Sequence, residues 1–222
     1  MKKIKFPSNM HTRILSIGLL ASAFVTTSWL AACNSTPAEK SHTEEQGHQH
    51  QHAATPAEQA ATSETATAIT PSFKQVDPQA AAHIKTLVTD YLRIKNALVA
   101  SNAQEAAAAG QQLAKSAAGF DGSLLSADQL KIYNAQIAAI KENATHIAGN
   151  KELPHQREHL ADLTSPVYEL VKAFGAGETV YYTHCPMAFD KGANWLSEVA
   201  EIKNPFYGQD MLSCGEIKET IQ

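Results

Sequence analysis

Residues 183–192, Thr-His-Cys-Pro-Met-Ala-Phe-Asp-Lys-Gly, set His184, Cys185 and Met187 within four positions. A second cluster, Met211-Leu212-Ser213-Cys214, follows near the C-terminus. Apart from Met1, Met10 and Cys33, all the sulfur of the chain falls in these two stretches. Thiolate and thioether are soft ligands that suit copper(I), and silver by the same logic. Zinc prefers four cysteine or histidine ligands and gains little from methionine. Cys185 and Met187 lie on one side of an extended segment, while Met211 and Cys214 share a helical turn or a loop. If the clusters meet, they offer two thiolates, two thioethers and His184. The competing chemistry is a Cys185–Cys214 disulfide, which an oxidising compartment favours. Closing that loop would stabilise the fold by about 3–4 kcal/mol, but it leaves the methionine beside each cysteine unexplained. The two readings can be two redox states of one site. A thiol enzyme with Cys185 as nucleophile and His184 as base is disfavoured, since adjacent strand residues point to opposite faces. The chain is therefore not read as an enzyme.

Histidines form two further groups. His42, His48, His50 and His52 fall within eleven residues, and imidazoles at every second position can converge on copper(II) or zinc as an accessory site. The competing reading is a solvated polar tract. His155 and His159 are four apart on one helical face, and His146 ends the preceding helix. That spacing can hold a metal between helices, but the favoured reading is of residues that flank the core stripe at its wet edge.

Both sites depend on where the chain resides. Lys2, Lys3, Lys5 and Arg13 precede an apolar run from Ile14 to Ala32, the pattern of a secretion signal. Leu30-Ala31-Ala32-Cys33 resembles a bacterial lipobox, so residues 1–32 read as a lipoprotein signal peptide and Cys33 as the lipidated first residue. Acyl chains contribute about 0.8 kcal/mol per buried methylene, enough for stable anchoring when two or three are present. The expected location is the periplasmic side of a bacterial membrane. Removing the four basic residues of the signal from eighteen leaves fourteen against twenty-two acids, a formal charge of −8. Such a balance argues against a nucleic-acid partner.

The remaining elements must position these ligands. Residues 33–72 carry Ala, Thr, Glu, Gln and Pro without an aromatic residue, and read as a flexible tether spanning roughly 30–40 Å. Residues 73–175 show helical periodicity. Asp77-Pro78 is a cap with a first-turn proline, and Ile84, Leu87, Tyr91 and Leu98 share a stripe. Asn102 and Glu105 suggest a capping box for an alanine-rich second helix. Ser126 caps a third helix, on which Leu130, Tyr133, Ile137, Ile140, Ala144 and Ile147 step by three and four. A fourth helix spans about 154–174, with Pro166 expected to kink it. This predicts a mainly α fold, an antiparallel four-helix bundle. Residues 176–222 form an aromatic-rich, irregular tail packed on the bundle, with short strands at Thr-Val-Tyr-Tyr and Asn-Trp-Leu-Ser.

The segment VYYTHCPMAFDKGANWLSEVAEIKNPFYGQDMLSCGEIKETI resembles the signature of a bacterial helical domain family of unknown function. That family occurs in small exported proteins and fused to periplasmic adaptors of copper and silver efflux pumps. YLRIKNALVASNAQEA and HQREHLADLTSPVYELVKAFG resemble its helices, so the resemblance spans about residues 73–222. Cys-Pro-Met is also similar to a small heavy-metal-binding motif of such pumps. The resemblance implies Cys185, Met187, Met211 and Cys214 as metal ligands, and copper handling as the role; His184 and Pro166 depart from the family pattern. The expectation is a membrane-tethered copper(I)-binding protein that sequesters copper, or passes copper or silver to an efflux adaptor. The alternative is a disulfide-stapled helical module that binds a partner protein and no metal.

Overall fold

The protein is described by a computed structural model over residues 66–222. The signal segment, Cys33 and the tract of His42, His48, His50 and His52 lie outside the described residues. The described part is mainly α. Four helices, α1 (Pro78–Val99), α2 (Ala103–Ala118), α3 (Ala127–Gly149) and α4 (Leu153–Phe174), combine with a four-stranded sheet. The strands are β1 (Thr67–Ile69), β2 (Val180–Cys185), β3 (Ala193–Ser197) and β4 (Glu216–Ile221). No helix among the described residues is long and apolar enough to cross a membrane.

Local chemistry starts three of the four helices where the sequence places them. The Asp77 carboxylate accepts from the backbone of Gln79 and Ala80 at 2.8 and 3.3 Å, with Pro78 in the first turn, where a missing N–H costs nothing. Asn102 accepts from Glu105 N at 3.0 Å, one half of the expected capping box. The complete box is at α3, where Ser126 and Gln129 bond reciprocally. Gly175, at φ +81°, closes α4, a conformation that glycine adopts without steric penalty. Pro166 lies buried inside α4.

The alanine content of α2 has a packing reason. A Cβ on Gly110 would stand 2.9 Å from the carbonyl oxygen of Ala144, so the backbones of α2 and α3 approach closely. Helix α1 packs on α2 and α4, and α3 packs on the same two helices. The expected stripes are buried at Ile84, Leu87, Tyr91, Leu98, Tyr133, Ile140, Ala144 and Ile147; Leu130 and Ile137 are only partly buried.

The tail is more regular than its composition suggests. Strand order is β1-β4-β2-β3, with β1 parallel to β4 and the other pairs antiparallel. The sheet shares one apolar core with the helices, through Val180, Trp195, Leu196 and Ile221. Tyr91 of α1 bonds Thr164 of α4 at 2.8 Å and accepts from Leu196 N of β3 at 3.0 Å. One buried hydroxyl thus joins two helices and the sheet. The tether boundary also differs from the compositional reading. Thr67–Ile69 lies inside the segment read as tether, yet it pairs with β4, and Ser72 and Phe73 bond the carbonyls of Lys172 and Ala173. Three residues carry too little periodicity to announce a strand; the partner edge supplies it.

Candidate metal centre

Sheet register brings the two sulfur clusters together. Strands β2 and β4 are antiparallel with His184 opposite Glu216, so β2 leaves the sheet where β4 enters it. Cys185 is the last residue of β2, and Cys214 lies two residues before β4. Both are free thiols, Cys185 fully buried and Cys214 partly so. They are close enough for Cys185 to act on the Cys214 thiol, and the Met187 backbone and the Asn204 side chain lie beside Cys214 as well. Burial, reinforced by the neighbouring Cys185, pushes the Cys214 thiol up to about 11. Both factors disfavour a second negative charge in the same place; a cation between the sulfurs would remove that obstacle as it displaced the protons.

The loops around the thiols are held by residues outside the cysteine motifs. Asn204 is fully buried. Its Nδ2 donates to Cys214 O, its Oδ1 accepts from Phe206 N, and its backbone N donates to Leu212 O, each at 2.8 Å. Tyr207 donates its hydroxyl to Met187 O at 2.6 Å, fastening the turn after Cys185 to the loop before Met211. Phe206 meets Phe189 and Trp195 edge to face, at 5.4 and 5.8 Å between centroids, and this aromatic trio underlies the turn. A Cβ on Gly215 would fall 2.5 Å from the Trp195 ring, so only glycine lets the chain after Cys214 settle on the indole. Phe189 and Asp190 both have positive φ, 53° and 60°. Non-glycine residues so placed store about 1–3 kcal/mol each, concentrated in the turn that carries Met187.

The expected ligands are not equally placed. Met187 approaches Cys214 through its backbone, and the residue is 58% exposed. Met211 is partly buried and accepts from Cys214 N at 3.1 Å through its carbonyl. His184 alternates with Cys185 along β2, and its Nδ1 bonds Asn194 Oδ1 of β3 at 2.8 Å. Its ring lies over Gly192, where a Cβ would stand 2.6 Å from Cε1. The structure therefore joins the two thiols and leaves His184 in a separate contact across β2 and β3. In sequence an Asn204-Pro205 pair signals no more than a turn; the buried amide that clips both loops has no signature of its own.

The helical histidines form a second group. His146, His155 and His159 present one ligand atom each within 4.8 Å of one another. Residues 87–179 match the family model described as "Protein of unknown function (DUF3347)". No curated protein and no solved structure matches the chain. The DUF3347 match runs from within α1 through the end of α4, so it holds the three histidines. Both sulfur clusters lie C-terminal to it.

Proposed function

We propose that this is a copper(I)-binding protein, lipid-anchored at Cys33 on the periplasmic side of a bacterial membrane. It sequesters copper, or hands copper or silver to an efflux system, with the protein chain supplying a docking partner for an efflux adaptor. The observation that carries the reading is the meeting of Cys185 and Cys214 as free thiols at the mouth of β2 and β4. Two thiolates suit a soft monovalent ion, and uptake releases their protons to solvent. The proposed shell adds the thioethers of Met187 and Met211, with His184 an accessory ligand only if it leaves Asn194. An exposed Met187 favours transfer by ligand exchange, since an acceptor can replace the outermost ligand first. The four helices, each packed on two neighbours, fit an up-and-down bundle that carries this site at the end of its sheet. The histidine tract at 42–52 is proposed as an accessory copper(II) or zinc site on the tether.

Anaerobic copper(I) titration against a competing chelator tests the central claim. The reduced protein should take up one ion with high affinity, and Cys185→Ser should abolish that binding. Met187→Leu with Met211→Leu preserves volume, and such swaps cost under about 1.5 kcal/mol per site in stability. The double variant should bind copper(I) more weakly. Equal affinity would remove methionine from the shell, and no binding by the parent would leave the disulfide-stapled interaction module.

A further inference from the structure

The α3–α4 turn carries a second cluster whose chemistry differs from that of the sulfur site. His146 lies in the last turn of α3, His155 in the first turn of α4, and His159 one turn further on. The His146 and His159 rings stack at 4.4 Å between centroids, and His155 meets His159 edge-on at 4.5 Å. Their candidate ligand atoms all lie within 4.8 Å of one another. A tetrahedral ion with nitrogen ligands at about 2.0–2.1 Å needs those atoms about 3.4 Å apart. His146 is exposed and His155 and His159 are partly so, so small ring rotations close the gap while the backbone stays in place.

Two features hold this group as built sites are held. The Nδ1 of His159 bonds Asn143 Oδ1 at 2.8 Å, and Asn143 in turn donates Nδ2 to Ala139 O at 3.0 Å. The anchored amide oxygen can only accept, so His159 carries its proton on Nδ1 and turns an unprotonated Nε2 outward. Ligating imidazoles are oriented in this way by a partner on the other nitrogen. Gln156, fully buried, donates its amide to Ile147 O and Asn150 O at 3.1 and 2.8 Å, and to Ala103 O of α2 at 3.0 Å. It therefore locks the α3–α4 turn beside both His146 and His155. Rigid helix ends position a site better than loops do.

We propose that His146, His155 and His159 bind one borderline divalent cation, zinc or copper(II), with Asn143 as the positioning residue for His159. Imidazole suits these ions and is a poorer match for the soft copper(I) shell. The exposed side of His146 leaves a fourth position for water or an exogenous ligand. The site is independent of the thiol pair, and one can fail while the other stands.

Zinc titration of the full chain against a chromophoric chelator tests it, with Cys185→Ser and Cys214→Ser present so that thiols take no zinc. Residues 42–52 are intact in every sample, so any contribution from that tract cancels. Adding His146→Ala, His155→Ala and His159→Ala should remove one zinc equivalent. Asn143→Ala should lower zinc affinity 10–100-fold, as loss of an orienting partner does, and Asn143→Asp should restore it. Zinc should also raise the melting temperature of the parent, because it bridges two helices of the folded state, and should leave that of the triple variant unmoved. Should the triple variant fail to fold, His155→Gln alone should weaken zinc at least 10-fold. Unchanged stoichiometry and affinity in the triple variant, or in His155→Gln, would overturn the proposal.

Discussion

Asn204 is the residue on which the sulfur site turns. Two of its three bonds tie this loop to the carbonyls of Leu212 and Cys214, the third holds the turn at Phe206, and no water reaches it to replace them. A buried polar group left without its partner costs about 1–3 kcal/mol. Asn204→Ala should therefore destabilise the protein by about that amount and loosen the loop that presents Cys214. Chemical denaturation should show the loss, and copper(I) affinity should fall with it. Undiminished affinity would place the positioning elsewhere, with Tyr207 and its bond to Met187 O the next candidate. Asparagine and proline in that order announce a turn to any sequence reading. That this amide is buried and reaches Cys214 depends on where β4 lies.

At the scale of elements, one ion pair joins α1 to the end of β3. Lys95 Nζ stands 2.7 Å from Glu198 Oε2, and Asn96 donates to Glu198 Oε1 at 2.7 Å. Burial holds Lys95 below the ordinary lysine value, with Glu198 offsetting only part of this. Partial burial alone would raise Glu198, but the bonds from Lys95 and Asn96 win and hold it below the ordinary carboxylate value. The two shifts pull against each other because desolvation falls on the lysine, whose side chain is 1% exposed against 29% for the glutamate. Removing the carboxylate strands a buried ammonium. Glu198→Gln should cost about 3 kcal/mol, the low end for such pairs, and Lys95→Met should cost less because it removes the buried charge itself. The folded pKa of Glu198 is depressed, so its stabilisation is fully present above the unfolded value of about 4.3. That stabilisation is lost as pH falls through the lower folded value. Acid titration of unfolding should be shallower below pH 4 in Glu198→Gln than in the parent.

At the scale of the whole molecule, helices and sheet share one core, and the short β1 closes the sheet's edge. Ile69 packs against that core, Phe73 meets Phe174 at 5.2 Å, and Gln222 N donates to Ile69 O at 3.2 Å. A chain beginning at residue 73, where composition alone would start the domain, lacks one of the two partners of β4. Half-burying one isoleucine stabilises by about 1 kcal/mol, and the lost ladder bonds add a similar amount. At about 2–4 °C per kcal/mol for a domain of this size, the chain from 73 should melt about 4–8 °C below one beginning at 66. Equal melting temperatures would make β1 an ornament of the sheet.

Helix positions were legible because their causes are local. Asp77, Asn102 and Ser126 satisfy backbone donors two or three residues away, and the apolar stripes repeat within a few turns. The sulfur clusters were legible as chemistry because residue type alone decides softness. Their meeting was not, since it rests on β4, whose alternation in Glu216–Ile221 is weak and whose pairing with β2 joins residues about thirty to forty positions apart. The histidine group divides the same way. Spacing puts His155 and His159 on one face, but the approach of His146 depends on a buried glutamine locking a turn. Whether the three rings converge or spread along a wet edge is decided by that packing, because sequence spacing fixes neighbours on one helix and leaves the angle between two helices to their contacts.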